Sequence, residues 1–323
     1  MLIPNTNKEA MASRGVFEFL IGGLATCGAG FFTNPLEVVK TRMQLQGELR
    51  AHGQYAVHYR NAFHALVTIA KNDGLLALQS GLVPALWYQF FMNGTRLGAY
   101  QVQVNMGLTK NSNGQHSFLR SVAAGAFAGC IGAIVGSPLY MVKTHLQSKA
   151  NKEIAVGHQH PHESMSHAIK SIYKDHGTFG LWRGVSGAMV RVTVGSASQL
   201  STFSFSKNFI QETKIFTPNS FLSTLSASMV SGIFVTLFMT PFDVVSTRLY
   251  NQPFTQSGHG AIYSGVTDCF LKIFRSEGLW GFYKGWFPSY LRIGPHTTIS
   301  LVLWDEIRKL YNTRTAKLVS TET

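Results

Sequence analysis

The stretch "TNPLEVVKTRMQLQ", residues 33–46, closes an apolar segment in which Val16 to Asn34 hold a single charge, Glu18. A proline, an acid and two bases then follow within a few residues: Pro35, Glu37, Lys40 and Arg42. Glu37, Lys40 and Gln44 are three and four residues apart, so a helix carries them on one face. Ionised groups at membrane depth are costly unless they face water or one another. The stretch also recurs. "SPLYMVKTHLQ" and "TPFDVVSTRLY" repeat it, and Pro35, Pro138 and Pro241 are spaced 103 and 103 apart. A second element follows each copy: "DGLLALQSG", "HGTFGLWRG" and "EGLWGFYKG", with Gly81, Gly184 and Gly285 spaced 103 and 101. The chain is therefore three copies of one unit.

Composition places that unit in a membrane. Charged residues make up 13% of the 323, about half the usual globular share, and apolar residues 45%. No charge occurs from Ser121 to Val142 or from Ile215 to Phe242, each longer than the roughly 20 residues that span a bilayer. The second segments, Leu82–Leu108, Val185–Phe209 and Trp286–Leu310, each contain one deep arginine: Arg96, Arg191 and Arg292. Between the two segments of each unit lies a short amphipathic stretch, as in "NAFHALVTIAKNDG". The expected fold is an all-α membrane protein of six transmembrane helices and three short interfacial ones. The expected divisions are a tail at 1–14, repeats at 15–109, 110–213 and 214–312, and a tail at 313–323. An even number of spans puts both termini on one side.

The net charge of +13 points to anionic partners. No Lys/Arg block with interleaved aromatics is present, so nucleic acid is not expected. Three cysteines supply neither a disulfide framework nor metal spacing. "GHQHPHESMSH" holds His158, His160, His162 and His167, but Pro161 breaks any helix, and the run reads as a polar loop with no metal. No nucleophile–base constellation or phosphate-cradling loop stands out, so neither enzyme activity nor a cofactor is expected.

Three stripes in threefold register converge on a central axis, where the acid of one helix can pair with the base of the next. The proline before each stripe removes a backbone hydrogen bond and bends the helix inward. A ring of breakable ion pairs on bent helices is a gate. On these motifs the chain resembles the mitochondrial carriers, solute carrier family 25, over roughly Gly15 to Tyr311. The resemblance implies a pseudo-threefold bundle in the inner mitochondrial membrane, both termini toward the intermembrane space and the short helices on the matrix side. It also implies a functional monomer, a central solute site and alternating access between two gates.

Carried over residue by residue, the matrix gate pairs Glu37 with Lys143 and Asp243 with Lys40. The third pair falls on Tyr140 and Ser246, so both charges are lost together, which leaves no unpaired buried ion. Gln44 and Gln147 match the family's glutamine braces, with Tyr250 at the third position. On the cytosolic side Asp305 and Arg308 match the family's pattern; Lys207 and Gln101 belong to incomplete copies. Solute-contact positions fall on Tyr88 and Gln89, Arg191 and Val192, and Arg292, with Arg96 nearer the outer mouth. Trp182, Arg183 and Gly184, then Tyr283, Lys284 and Gly285, with Gly265, match segments that help bind cardiolipin.

"TRLGAY", "MVRVTVGSASQLS" and "LRIGPHTT" resemble the dicarboxylate branch, including oxaloacetate carriers and members 34 and 35. The resemblance implies exchange of small dianions: oxaloacetate, malate, malonate or related dicarboxylates, with sulfate or thiosulfate as further candidates. The alternatives are a carrier-derived adaptor that no longer transports, in which gate charges and cavity arginines would decay, and a proton-leak role.

Overall fold

The computed structural model describes residues 5–51, 53–111, 117–212, 221–255 and 260–321. The first repeat forms α1 (Asn5–Leu45), the short α2 (Ala62–Asn72) and α3 (Leu82–Asn105). The second forms α4 (Phe118–Ser148), α5 (Met165–Gly180) and α6 (Val185–Glu212), and the third α7 (Phe221–Asn251), α8 (Val266–Glu277) and α9 (Trp286–Thr321). The six long helices close a ring. Each packs on its partner within the repeat (α1 on α3, α4 on α6, α7 on α9) and on a neighbour across it (α3 on α4, α6 on α7, α9 on α1). A 31-residue helix such as α4 is about 46 Å long, more than the ~30 Å hydrocarbon core.

The bundle is apolar on the outside. Phe31, Ile134 and Leu237 occupy one register position, and Phe32, Val135 and Phe238 the next; all six are exposed. In water such a belt would be unfavourable; in lipid it is solvated. The segments from Leu75 to Asn105, Phe118 to Ser148 and Leu225 to Asn251 are long and apolar enough to cross a membrane by composition alone. In α6 and α9 the inward face carries Arg191, Gln199, Arg292 and His296, which lowers the mean hydropathy of a helix that still spans. Pro35, Pro138 and Pro241 all lie inside their helices, which continue through them.

The short helices begin at sequence-encoded caps. Asn61 accepts a hydrogen bond from the His64 amide, and Ser164 from the His167 amide. Gly74, Gly177 and Gly278 have positive φ and end the short helices; in α5 that break falls at Gly177, inside the helix. Seven residues on in each repeat, Gly81, Gly184 and Gly285, also at positive φ, turn the chain into the second long helix. Each of these packs on the next repeat. A Cβ on Gly81 would lie 2.9 Å from Gln147, on Gly184 3.0 Å from Tyr250, and on Gly285 3.0 Å from Gln44.

Gly81→Ala is therefore expected to combine left-handed strain with a clash against Gln147 and to cost about 2–3 kcal/mol. Gly107→Ala, with positive φ but open space around it, should cost only the ~1–2 kcal/mol of strain. Thermal unfolding of the two purified variants checks this; equal losses would mean that the glycine–brace contact is not tight.

Candidate functional site

At one end of the bundle α1, α4 and α7 meet. Lys143 Nζ lies 2.5 Å from Glu37 Oε2, joining α4 to α1. Lys40 Nζ lies 2.6 Å from Asp243 Oδ2, joining α1 to α7. Gln44 donates to that Asp243 oxygen at 3.0 Å and accepts from Thr247 at 2.7 Å. Gln147 makes the register-equivalent bond on the Glu37–Lys143 side, accepting from Thr41 at 3.0 Å, while its amide donates to Asn34 at 3.2 Å.

The third seam, α4 to α7, is aromatic. The Tyr140 ring lies between Tyr88 and Tyr250, with centroids 5.0 and 4.9 Å away. Tyr250 and Ser137 share a hydrogen bond of 2.9 Å. Ser246 is fully buried with no partner for its hydroxyl among the described residues. A Cβ on Gly187 would come within 3.1 Å of the Ser246 Cα, so the glycine lets α6 approach α7 closely here. The joint loss of charge at Tyr140 and Ser246 thus leaves a packed seam rather than a gap.

Above these pairs opens a cavity of about 670 Å³, with Lys40, Asp243, Arg96 and Arg292 in its wall. The three deep arginines are not equivalent. Arg292 reaches from the wall to the floor, its Nε 2.8 Å from Glu37 Oε1. Arg191 is in the floor itself: it donates to the Tyr88 hydroxyl at 2.9 Å, lies over the Tyr140 ring and has Asp243 at 3.8 Å. Arg96 lines the wall, and no carboxylate pairs with it among the described residues.

Other expected contact positions point elsewhere. Tyr88 is buried against Gly136, in the floor cluster. Gln89 lies against Gly30 of α1, and Val192 fills the notch left by Gly129 on α4. Both residues therefore belong to helix seams and do not line the cavity wall, because each sits one residue around its helix from a floor group.

At the other end, the described contacts of the expected gate positions run along their own helices. Asp305 bonds Lys309 at 2.7 Å on its own helix, and Gln101 bonds Asn105 at 2.9 Å on its own. The Arg308 guanidinium lies 4.8 Å from the Trp304 ring centroid. The Lys207 side chain lies outside the described residues. Among the described residues, the ion pairs that join one odd-numbered long helix to the next gather at the α1–α4–α7 end.

Of the segments read as lipid-binding, Lys284 is engaged internally. It bonds Glu277 at 2.6 Å and the Gln46 carbonyl at 2.7 Å. Burial pulls its ammonium below the ordinary value, and Glu277 opposes the shift. Tyr283 packs at the edge of the α7–α8 core. Trp182 donates to the Ile134 carbonyl at 2.7 Å, and Arg183 lies over Phe254. Gly265 caps α8 with open space around it.

Two buried ions had a sequence signal that the stripe reading passes over. Arg42 and Arg248 are fully buried and tie α1 and α7 to their short helices, Arg42 to Asp73 at 2.6 Å and Arg248 to Glu277. They share one register, as do their acids.

A central cavity, gate-type pairs in threefold register and a lipid-facing belt define a solute carrier. Three consecutive blocks, residues 14–111, 114–214 and 217–315, match the mitochondrial carrier protein family, and the chain belongs to it. It is 57% identical over 298 residues to solute carrier family 25 member 35 of Homo sapiens, covering 92% of this chain and 99% of that protein. It is 38% identical to the mitochondrial oxaloacetate transport protein of Saccharomyces cerevisiae (91% and 89% covered). It is also 38% identical to the mitochondrial citrate transporter E of Aspergillus niger (90% and 92% covered). The protein is a multi-pass mitochondrial transporter.

Glu37→Gln should leave Lys143 and Arg292 facing each other without their shared carboxylate. Breaking a buried pair this way costs about 3–5 kcal/mol. Ser246→Ala removes only an unbonded hydroxyl and should be neutral or slightly stabilising. Melting temperatures check the contrast; an unchanged melt for Glu37→Gln would show that the pair contributes nothing.

Proposed function

We propose that this carrier exchanges small dianions across the inner mitochondrial membrane by alternating access, with the ion-paired end toward the matrix and both termini toward the intermembrane space. One observation carries this reading. Around the cavity and its floor, five cations (Lys40, Lys143, Arg191, Arg292 and Arg96) meet two carboxylates (Glu37 and Asp243) among the described residues. A surplus of three positive charges at membrane depth is stable only with water and an anion beside it. Besides Lys40, which is held by Asp243, the cavity wall carries the cations Arg96 and Arg292, and a guanidinium binds a carboxylate through two parallel hydrogen bonds. Two such groups fit the two ends of a dicarboxylate such as oxaloacetate, malate or malonate. Sulfate and thiosulfate carry the same charge in a smaller volume. The names of the yeast and Aspergillus relatives support a di- or tricarboxylate class; two wall arginines favour the dianion.

The same geometry couples binding to opening. Arg292 holds Glu37, and Glu37 holds Lys143. A carboxylate that takes Arg292 releases Glu37 from one of its two partners and loosens the α1–α4 seam. Lipid phosphates, cardiolipin above all, would seat at the N-terminus of α8, where Gly265 leaves open space. The carrier acts as a monomer in this scheme, since all three seams are completed within one chain.

Exchange in liposomes loaded with malate tests the proposal. External oxaloacetate, malate, malonate, sulfate and thiosulfate should each be compared with citrate, ADP and arginine. Arg96→Ala and Arg292→Ala should each cut dianion uptake about thirtyfold or more, equivalent to about 2–5 kcal/mol of charge-assisted contact. Robust exchange of ADP or arginine with no dianion uptake would refute the assignment.

A further inference from the structure

The middle repeat departs from its neighbours at one buried position. His145 stands in α4 where Arg42 stands in α1 and Arg248 in α7, each 103 residues on. The acids that hold those arginines, Asp73 and Glu277, have His176 as their counterpart. The middle latch has therefore lost both charges, and His176 packs instead near Phe254, 5.8 Å between ring centroids.

The loop after α4 supplies new partners. The His145 ring stacks on His160 at 3.5 Å and on His162 at 5.4 Å, all nearly parallel. The candidate ligand atoms of these three residues lie within 4.8 Å of one another. Two backbone carbonyls at the end of α7 fix the tautomers. His145 Nε2 bonds the Tyr250 carbonyl at 2.8 Å and His160 Nε2 the Asn251 carbonyl at 3.0 Å. A carbonyl only accepts, so both Nε2 atoms carry the proton and both Nδ1 atoms keep a free lone pair. His145 Nδ1 and His162 Nδ1 are buried with no hydrogen-bond partner among the described residues.

Imidazoles that donate one nitrogen to a carbonyl and leave the other bare are arranged as metal ligands are. We propose that His145, His160 and His162 form a zinc-type site through their Nδ1 atoms at the end of α4. A tetrahedral ion with Zn–N bonds of 2.0–2.1 Å wants its nitrogens about 3.3 Å apart, so the three rings would draw together on binding. An all-imidazole set suits Zn²⁺, Ni²⁺ or Cu²⁺ and not Ca²⁺ or Mg²⁺. His158, its ring 4.6 Å from His160, or a water completes the fourth position. Burial pulls His160 down to about 4 and lowers His158 and His162, so these rings are neutral and able to ligate near pH 7. The bound ion would tie the loop to α4, and the two carbonyl bonds would carry that tie to α7. A metal would thus replace the charged latch of the other two repeats.

The test is direct binding to the full-length carrier in detergent, stripped of metal and titrated with Zn²⁺ by calorimetry, so its outcome does not depend on what the carrier transports. One ion per chain is expected, with a rise in melting temperature. His160→Gln and His162→Gln should each weaken binding at least ~tenfold and abolish the thermal shift. His162→Gln carries the test most cleanly, because His145→Gln and His160→Gln would each also remove a bond to the end of α7. His167→Gln should bind as the wild type does. Absence of stoichiometric binding, or affinity unchanged in His160→Gln and His162→Gln, would overturn the proposal.

Discussion

Charge at membrane depth must be compensated, and that requirement organises this bundle. The Glu37 carboxylate meets it for two cations at once, Lys143 at 2.5 Å and Arg292 at 2.8 Å. Asp243 does the same for Lys40 and, more distantly, Arg191. Neither pair would be worth its desolvation as a simple stabilising device, since well-packed apolar groups do as well. Each acid has more than one cation to hold, and in the exchange proposed above an anionic solute would offer those cations another partner.

Threefold symmetry sets the frame, and its local failures are informative. Where the third ion pair would stand, Tyr140, Tyr88 and Tyr250 fill the seam. Where the third buried arginine would stand, three histidines stack. Both replacements fall on the α4–α7 side. That side is therefore held by packing and imidazoles, while the other two seams are held by salt bridges. The three seams of the closed end therefore differ in chemistry.

The period, the six long helices, the three short ones and the two ion pairs were all legible in the sequence. A 103-residue register with an acid and a base on one helical face leaves few alternatives. Other features depended on which way a side chain turns. Arg191 and Arg292 look alike in sequence, yet one lies in the floor and the other reaches the wall. Val192 is one residue from Arg191 and packs on Gly129 in a helix seam. Lys284 looked available to phosphate because Glu277, its internal partner, lies in a different element. His145 sits in the quoted repeat itself, but its meaning depended on a loop folding back onto it. The Arg42–Asp73 and Arg248–Glu277 latches could have been found by aligning the repeats and asking which charges lie off the central stripe.

The central claim is that solute and gate compete for Arg292. The affinity of the purified carrier for malonate, compared between wild type and Glu37→Gln, measures that competition. Freeing Arg292 from its internal carboxylate should tighten malonate binding by about tenfold, equivalent to about 1.4 kcal/mol, even as exchange is lost. Malonate binding that is unchanged or weaker in Glu37→Gln would contradict the account.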